Sequence, residues 1–318
     1  MNYLIADIGY GDTKFAYEEG GELRLGKFPS AIVRRGPETR TVDTELAGLK
    51  GESGELIYNG AVYVVGEEAL LEGTPISTRR KDFIPRFSPI IVAKIVRTLG
   101  REFEGVIISA AISDLTEENR RAIREALSSF TVNGRKFSFS DIRIFPQGYG
   151  IYRDVFPQNH EGLVVVADIG FNTIDISTYM AGKPVRRNIV GLPGYGTSRV
   201  VQRLIDRVRQ ELGEPVTEIE INRALQKDRK LRIYGRTVDL SEWFEEERRF
   251  YAEDVLTQIE SSPIGQVWKR ADARIIGGGG GYFIPEEFAR EMDIIVPEKP
   301  EFSNVRGFWK AVKEVNNG

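Results

Sequence analysis

At 318 residues the chain is too long for one small core and fits two domains of ordinary size, each able to bury its own apolar interior. Its 41% apolar and 29% charged residues are those of a soluble globular protein, and no apolar run approaches the roughly 18 residues that a membrane span needs. The absence of cysteine and a single histidine, His160, exclude disulfides, thiol nucleophiles and the usual zinc ligand sets, while a net charge of −3 with only short basic clusters such as Arg79-Arg80-Lys81 points away from strong direct DNA binding.

The chain opens Met1-Asn2-Tyr3-Leu4-Ile5-Ala6-Asp7, in which a carboxylate interrupts the apolar run and no basic segment precedes it. No secretory signal is expected, and the expected location is cytoplasmic. An internal repeat follows. Ala6-Asp7-Ile8-Gly9-Tyr10 returns as Ala167-Asp168-Ile169-Gly170-Phe171, about half the chain later and each time behind an apolar run. That period is far longer than a solenoid repeat and suggests two copies of one domain. Each copy continues as a meander, with second strands at Thr13 to Glu18 and Ile174 to Met180 and turns at Gly20-Gly21 and Gly182-Lys183.

From about Gly26 to Arg80 short strands, notably Leu56 to Tyr58 and Ala61 to Val65, alternate with glycine-rich turns. This block has no close counterpart in the second half and reads as an insert. Thr116 can cap a helix whose apolar face is Ala122, Ile123, Ala126, Leu127 and Phe130, and Ser198 to Leu212 carries Val200, Val201, Leu204, Ile205, Val208 and Leu212 at helical spacing. Residues from Glu214 to about Glu253 form a charged, helix-rich block. The final segment from Asn304 has a stripe of Phe308, Val312 and Val315.

Three segments carry chemistry. In Asp7-Ile8-Gly9-Tyr10-Gly11-Asp12-Thr13-Lys14 the glycines let backbone N–H groups approach an anion, the aspartate can hold hydrated Mg²⁺, and Lys14 can reach phosphates. Alone this is an ordinary glycine-rich hairpin. The second turn, Asp168-Ile169-Gly170-Phe171-Asn172-Thr173, repeats the strand-ending aspartate and turn glycine, so that two turns could grip the β- and γ-phosphates of one nucleotide. The third is Gly277-Gly278-Gly279-Gly280-Gly281, flanked by Ile275-Ile276 and Tyr282-Phe283. Five glycines suit backbone passing close to something flat and are read as a base and ribose pocket rather than a linker.

In this order the segments resemble the actin-like ATPases, within the ribonuclease-H-like group that includes hexokinase-type sugar kinases and heat-shock ATPases. Phe145-Pro146-Gln147-Gly148-Tyr149-Gly150 is similar to the first connecting segment of that group. Asn304-Val305-Arg306-Gly307-Phe308-Trp309 is similar to the second, in the form typical of ParM-type plasmid-segregation proteins. The resemblance covers nearly the whole chain. It implies a duplicated α/β fold of two lobes about a nucleotide cleft: residues 1–152 with an insert at about 26–80, residues 153–303 with an insert at about 214–253, and a helix at 304–318 returning to the first lobe.

The resemblance further implies ATP or ADP with Mg²⁺ as ligands. Asp7 and Asp168 would hold the metal through water; Gly9, Tyr10, Gly11 and Lys14 would bind phosphate, as would Gly170, Asn172 and Thr173; Gly277, Gly278, Gly279 and Gly280 would line adenosine. Gln147 would orient the attacking water, since a neutral amide cannot accept its proton. Tyr10 stands where many relatives carry a small hydroxyl residue, and Gln147 where several plasmid relatives carry glutamate. The implied function is a polar filament that assembles with ATP and loosens after hydrolysis, with plasmid DNA as cargo through a DNA-binding adaptor. A small-molecule kinase of the same fold would need a carboxylate base, for which Asp12 and Asp114 are candidates, and a chaperone would be expected to carry a substrate-binding domain after the closing helix.

Overall fold

The computed structural model describes residues 1–36, 54–158 and 160–317, so residues 37–53 of the expected first insert and Gly318 of the final segment lie outside the described residues. The chain divides into two compact units, one formed by Met1–Gly150 with Asn304–Gly318 and the other by Ile151–Ser303.

In the first unit, strands β1 (Tyr3–Ile8), β2 (Asp12–Glu19) and β3 (Glu22–Pro29) form an antiparallel meander. β3 reaches Pro29 inside the main sheet, so the inserted block begins after it rather than at Gly26. Strands β4 (Ile32–Arg35), β5 (Glu55–Tyr58) and β6 (Ala61–Val65) make a separate sheet in the order β4-β6-β5. A short helix α1 (Ala69–Glu72) and the long α2 (Phe83–Leu99) follow. Gly100, in the left-handed region at φ 63°, ends α2 by turning its N–H back to the Val96 and Arg97 carbonyls.

Strand β7 (Gly105–Ala110) pairs parallel to β1, and helix α3 (Glu117–Ser128) comes next, with Thr116 Oγ1 accepting from Asn119 N as its cap. Phe130 does not extend the face of α3. The helix stops at Ser128, and Phe130 is buried as the first residue of β8 (Phe130–Val132), hairpinned to β9 (Arg135–Phe137). Strand β10 (Asp141–Pro146) completes a main sheet ordered β10-β7-β1-β2-β3. All six residues of β1 are buried, as expected of a central strand covered on both faces.

The second unit repeats this plan. After helix α4 (Tyr149–Val155), strands β11 (Leu163–Ile169), β12 (Thr173–Met180) and β13 (Lys183–Pro193) form the meander, and helix α5 runs over Ser198–Leu212, the bounds the periodicity gives. Val200, Val201, Leu204, Ile205 and Val208 are buried in α5, whereas Leu212 in its last turn is exposed.

The charged block contains more than helices. Helix α6 (Glu218–Gln226), started by a Thr217/Glu220 capping box, leads into a hairpin of β14 (Lys230–Ile233) and β15 (Arg236–Asp239). Helix α7 (Ser241–Ser261) then runs past Glu253. A short helix α8 (Gly265–Lys269), strand β16 (Ala273–Gly277), helix α9 (Glu286–Glu291) and strand β17 (Ile294–Ile295) follow. The sheet order β17-β16-β11-β12-β13 matches β10-β7-β1-β2-β3 strand for strand, with the meander antiparallel and the remaining pairs parallel.

Helix α10 (Ser303–Asn317) returns to the first unit from Asn304 onward. Phe308 is fully buried and stacks on Phe145 at 5.3 Å, Val312 is buried, and the Trp309 indole donates to Glu18 Oε2 at 3.1 Å. The side chain of Val315, third in the expected stripe, lies outside the described residues. Gly150 permits the close approach of α10, since a Cβ there would lie 2.4 Å from the Asn304 carbonyl oxygen. Phe308→Ala is expected to destabilise the first unit by about 3–5 kcal/mol in denaturant titration, whereas truncation of the exposed Leu71 should change stability by less than about 0.5 kcal/mol.

Candidate functional site

The two Ala-Asp-Ile-Gly segments occupy the same place in their sheets. Each aspartate lies next to the last residue of the central strand, Asp7 in β1 and Asp168 in β11, and each is buried. The turn glycine then closes a tight hairpin, with Gly9 N donating to the Asp12 carbonyl at 3.2 Å and Gly170 N to the Thr173 carbonyl at 2.9 Å. Antiparallel pairing sets Lys14 directly across from Asp7 and Asp175 directly across from Asp168. Side chains at paired positions share one face of the sheet, so the duplicated turns differ in charge: a cation faces the first aspartate, a second carboxylate the other.

Around Asp7 the first unit builds a polar shell. Gln147 Nε2 donates to Asp7 Oδ1 at 2.8 Å, Gly148 N donates to Asn304 Oδ1 at 3.0 Å, and Ser109 is the register neighbour of Asp7 on β7. Burial raises the Asp7 carboxyl above the ordinary value, and Lys14, Gln147, Ser109 and Asn304 only offset this in part. Lys14 and Gln147, expected at phosphate and at the attacking water, both stand beside this carboxylate. Ser109 and Asn304 carry no local signal of their own, although Asn304 opens the second connecting segment.

Two further contacts hold the first turn. Gly11 accepts from Ser30 N at 2.8 Å, and Thr13 and Ser30 share a buried hydroxyl pair at 2.9 Å. The Tyr10 hydroxyl is engaged by Asp114 Oδ2 at 3.1 Å, and its carbonyl accepts from Thr78 Oγ1 at 3.0 Å. Burial pushes the Asp114 carboxyl upward, partly countered by Tyr10.

In the second unit, the loop Gly194 to Thr197 lies on the second turn. Gly194 N donates to the Asn172 carbonyl, Thr197 N to that of Gly170, and Ser198 N, at the start of α5, to that of Phe171. A Cβ on Gly196 would sit 2.4 Å from the Phe171 carbonyl oxygen, so only glycine fits there. This support was not anticipated, although Gly194-Tyr195-Gly196 just before an amphipathic helix was a legible signal.

The five-glycine segment also belongs to this unit, and close approach within the fold bears on most of its glycines. A Cβ on Gly277 would strike Ile151 at 2.6 Å, on Gly278 the Asp168 carboxylate at 2.2 Å, on Gly280 Ile169 at 2.0 Å, and on Gly281 Pro300 at 2.7 Å. Close packing within the unit therefore accounts for four of them. Gly279 alone faces open space. Phe283 beyond them packs edge-on against Phe244 at 5.3 Å.

Among the described residues no three His, Asp or Glu side chains gather into a metal cage. The donor set nevertheless fits Mg²⁺, which binds through one or two carboxylates and keeps its water. In the first unit Asp7 is a desolvated carboxylate, and in the second Asp168 faces Asp175 across a β-pair, so each unit by itself presents carboxylate oxygens of the kind this cation takes.

Two family models match the chain. Residues 6–150 match the N-terminal domain of actin-like proteins, and residues 166–290 match the C-terminal domain of the archaeal actin homologue MreB-like family. No curated protein sequence gives a significant match. Among solved structures, the archaeal actin homolog Ta0583 is 21% identical with a TM-score of 0.77, covering 99% of this chain and 100% of its own. Its complex with ADP gives 20% and 0.74 at the same coverage. A 15-stranded ParM filament from Clostridium botulinum is 18% identical with a TM-score of 0.68, covering 98% of this chain and 99% of its own. These likenesses show the actin-like fold.

A carboxyl whose folded pKa is raised weakens the fold wherever it is ionised. That penalty is full above the raised pKa and vanishes as pH falls below the ordinary carboxyl value. Asp7→Asn should therefore raise the melting temperature of the nucleotide-free protein by about 2 °C or more near pH 8, with the gain shrinking steadily on acidification toward about pH 4.

Proposed function

We propose that this chain, an actin-like protein, binds ATP with Mg²⁺, assembles head to tail into polar filaments, and disassembles after hydrolysis. The observation that carries this is the duplicated strand end: two buried aspartates at matching register, the first holding the amide of Gln147. Asp7 and Asp168 are the carboxylates that would hold the metal, with Asp175 paired across the strand from the second. Mg²⁺, when bound, neutralises charge on the β- and γ-phosphate oxygens. Gly9, Gly11 and the backbone of Tyr10 approach phosphate with Lys14, and Gly170, Asn172 and Thr173 do so from the second turn. Gly277 to Gly280 line adenosine, with Gly279 as the open wall.

Gln147 acts by orientation. Its Nε2 is anchored on Asp7, which fixes the amide plane and leaves Oε1 as the group that accepts a hydrogen bond from the attacking water. The Tyr10 hydroxyl, engaged by Asp114, holds the turn in shape and does not itself meet phosphate. The two units behave as lobes, and the blocks after β3 and after α5 supply filament contacts. Short, scattered basic clusters suit a DNA cargo held through an adaptor, in the manner of plasmid segregation.

Incubation with ATP and Mg²⁺ should give pelletable filaments visible by electron microscopy; protein that stays monomeric across nucleotides and salts would overturn the assembly. Gln147→Ala should slow phosphate release about 100-fold while sparing assembly, and equal loss of both would make the residue structural. Gly279→Val should weaken nucleotide binding without lowering the melting temperature, whereas Gly278→Ala, at φ 74° and against Asp168, should lower it. Unchanged affinity in Gly279→Val would remove the adenosine assignment. Phosphate release that required an added sugar or carboxylic acid would indicate a kinase instead.

A further inference from the structure

Among the described residues five hairpins turn through two residues, and all five adopt positive φ at both positions: Gly20-Gly21, Asn59-Gly60, Asn133-Gly134, Ala181-Gly182 and Tyr234-Gly235. Asparagine or glycine is the favoured first residue of such a turn, because a bulky side chain with positive φ crowds its own carbonyl. Three of the five obey that preference. The fifth places a tyrosine there at φ 44°, with 89% of its surface exposed. Its ring gains nothing from the fold to offset the strain, and backbone strain of this kind persists where it serves a function.

The hairpin surrounding it is cationic, with Lys230 and Arg232 on β14 and Arg236 on β15. A fitting receptor lies on the first unit of the same chain. A groove of about 590 Å³ is walled by Tyr3, the Gly20-Gly21 turn, Trp309 and Glu104. Its basic side chains are already held, Lys313 by Glu18 at 2.8 Å and Arg101 by Glu19 at 3.0 Å. Glu104 accepts from Asn2 N and faces the terminal amine at 3.9 Å, and its carboxylate is still 65% exposed. The groove thus offers an aromatic wall, side-chain-free glycines and an accessible carboxylate, which suit a phenol ring with a flanking guanidinium.

We propose that the Tyr234-Gly235 hairpin tip is an assembly contact that seats in this groove of a second copy of the chain, with Tyr234 against Trp309 and Arg236 toward Glu104. Knob and hole are different surfaces of one chain, so the contact is heterologous and repeats from copy to copy. The inference rests on the self-assembly proposed above and names its contact residues.

The test couples assembly to stability. Tyr234→Asn restores the preferred turn residue, so it should raise the melting temperature by about 1–2 °C while raising the critical concentration for ATP-dependent sedimentation about tenfold or more. Nucleotide hydrolysis by the unassembled protein should not change. Tyr234→Gly, which also relieves the strain, should lose assembly equally and guards against a folding artefact in the first variant. Arg236→Glu and Glu104→Arg should each weaken sedimentation by about 2–5-fold, and their combination should restore it. If wild type assembles and both Tyr234 variants match it, or if the charge exchange fails to restore assembly, the contact is overturned while filament formation stands. If wild type does not assemble at all, both fall.

Discussion

The structure depends on placing an ionisable group where a sheet is most fully buried. A central strand covered on both faces excludes water along its whole length, and a carboxylate near its end is tolerable only if amides, hydroxyls or cations meet it there. Asp7 meets Gln147, Ser109, Asn304 and Lys14, drawn from the turn after β10 and from β7, α10 and β2. Much of the first unit's polar architecture follows from this one demand, including the glycine at 150 that lets α10 approach closely enough to bring Asn304 in. Burial at this carboxylate carries a cost that its polar partners offset only in part.

The duplication supplies the frame and the divergence supplies the chemistry. Both sheets have the same strand order, yet Lys14 in one becomes Asp175 in the other, and Ser109 on the neighbouring parallel strand becomes Gly277. One turn therefore sets a cationic side chain across from its aspartate, while the other sets a second carboxylate there. The supports differ as well. Ser30, Thr78 and Asp114 brace the first turn, whereas a loop leading into α5 braces the second.

Features set by local chemistry were legible in the sequence. The Ala-Asp-Ile-Gly repeat, the capped start of α3 and the period of α5 each depend on neighbours within a few residues, and the folded chain has them where the pattern puts them. What was missed is non-local or ambiguous over short runs. Phe130 keeps helical spacing with Leu127, but an apolar residue just past a helix end serves equally well as the start of a strand. The β14–β15 hairpin is short and charged, and was hidden in a block that reads as helix. The glycines at 277 to 281 were recognised as a close approach, but the surface approached is Ile151, Asp168, Ile169 and Pro300 of the same unit, which no linear pattern discloses.

The return of α10 to the first unit bears on how the protein is made. The first unit lacks Phe308 and Asn304 until the whole of Ile151–Ser303 has been synthesised, because that segment intervenes in the chain. Folding during translation favours N-terminal portions first, yet here the earliest portion stays incomplete the longest. A growing polypeptide on the ribosome consequently carries an Asp7 turn whose polar shell is unfinished until Asn304 arrives.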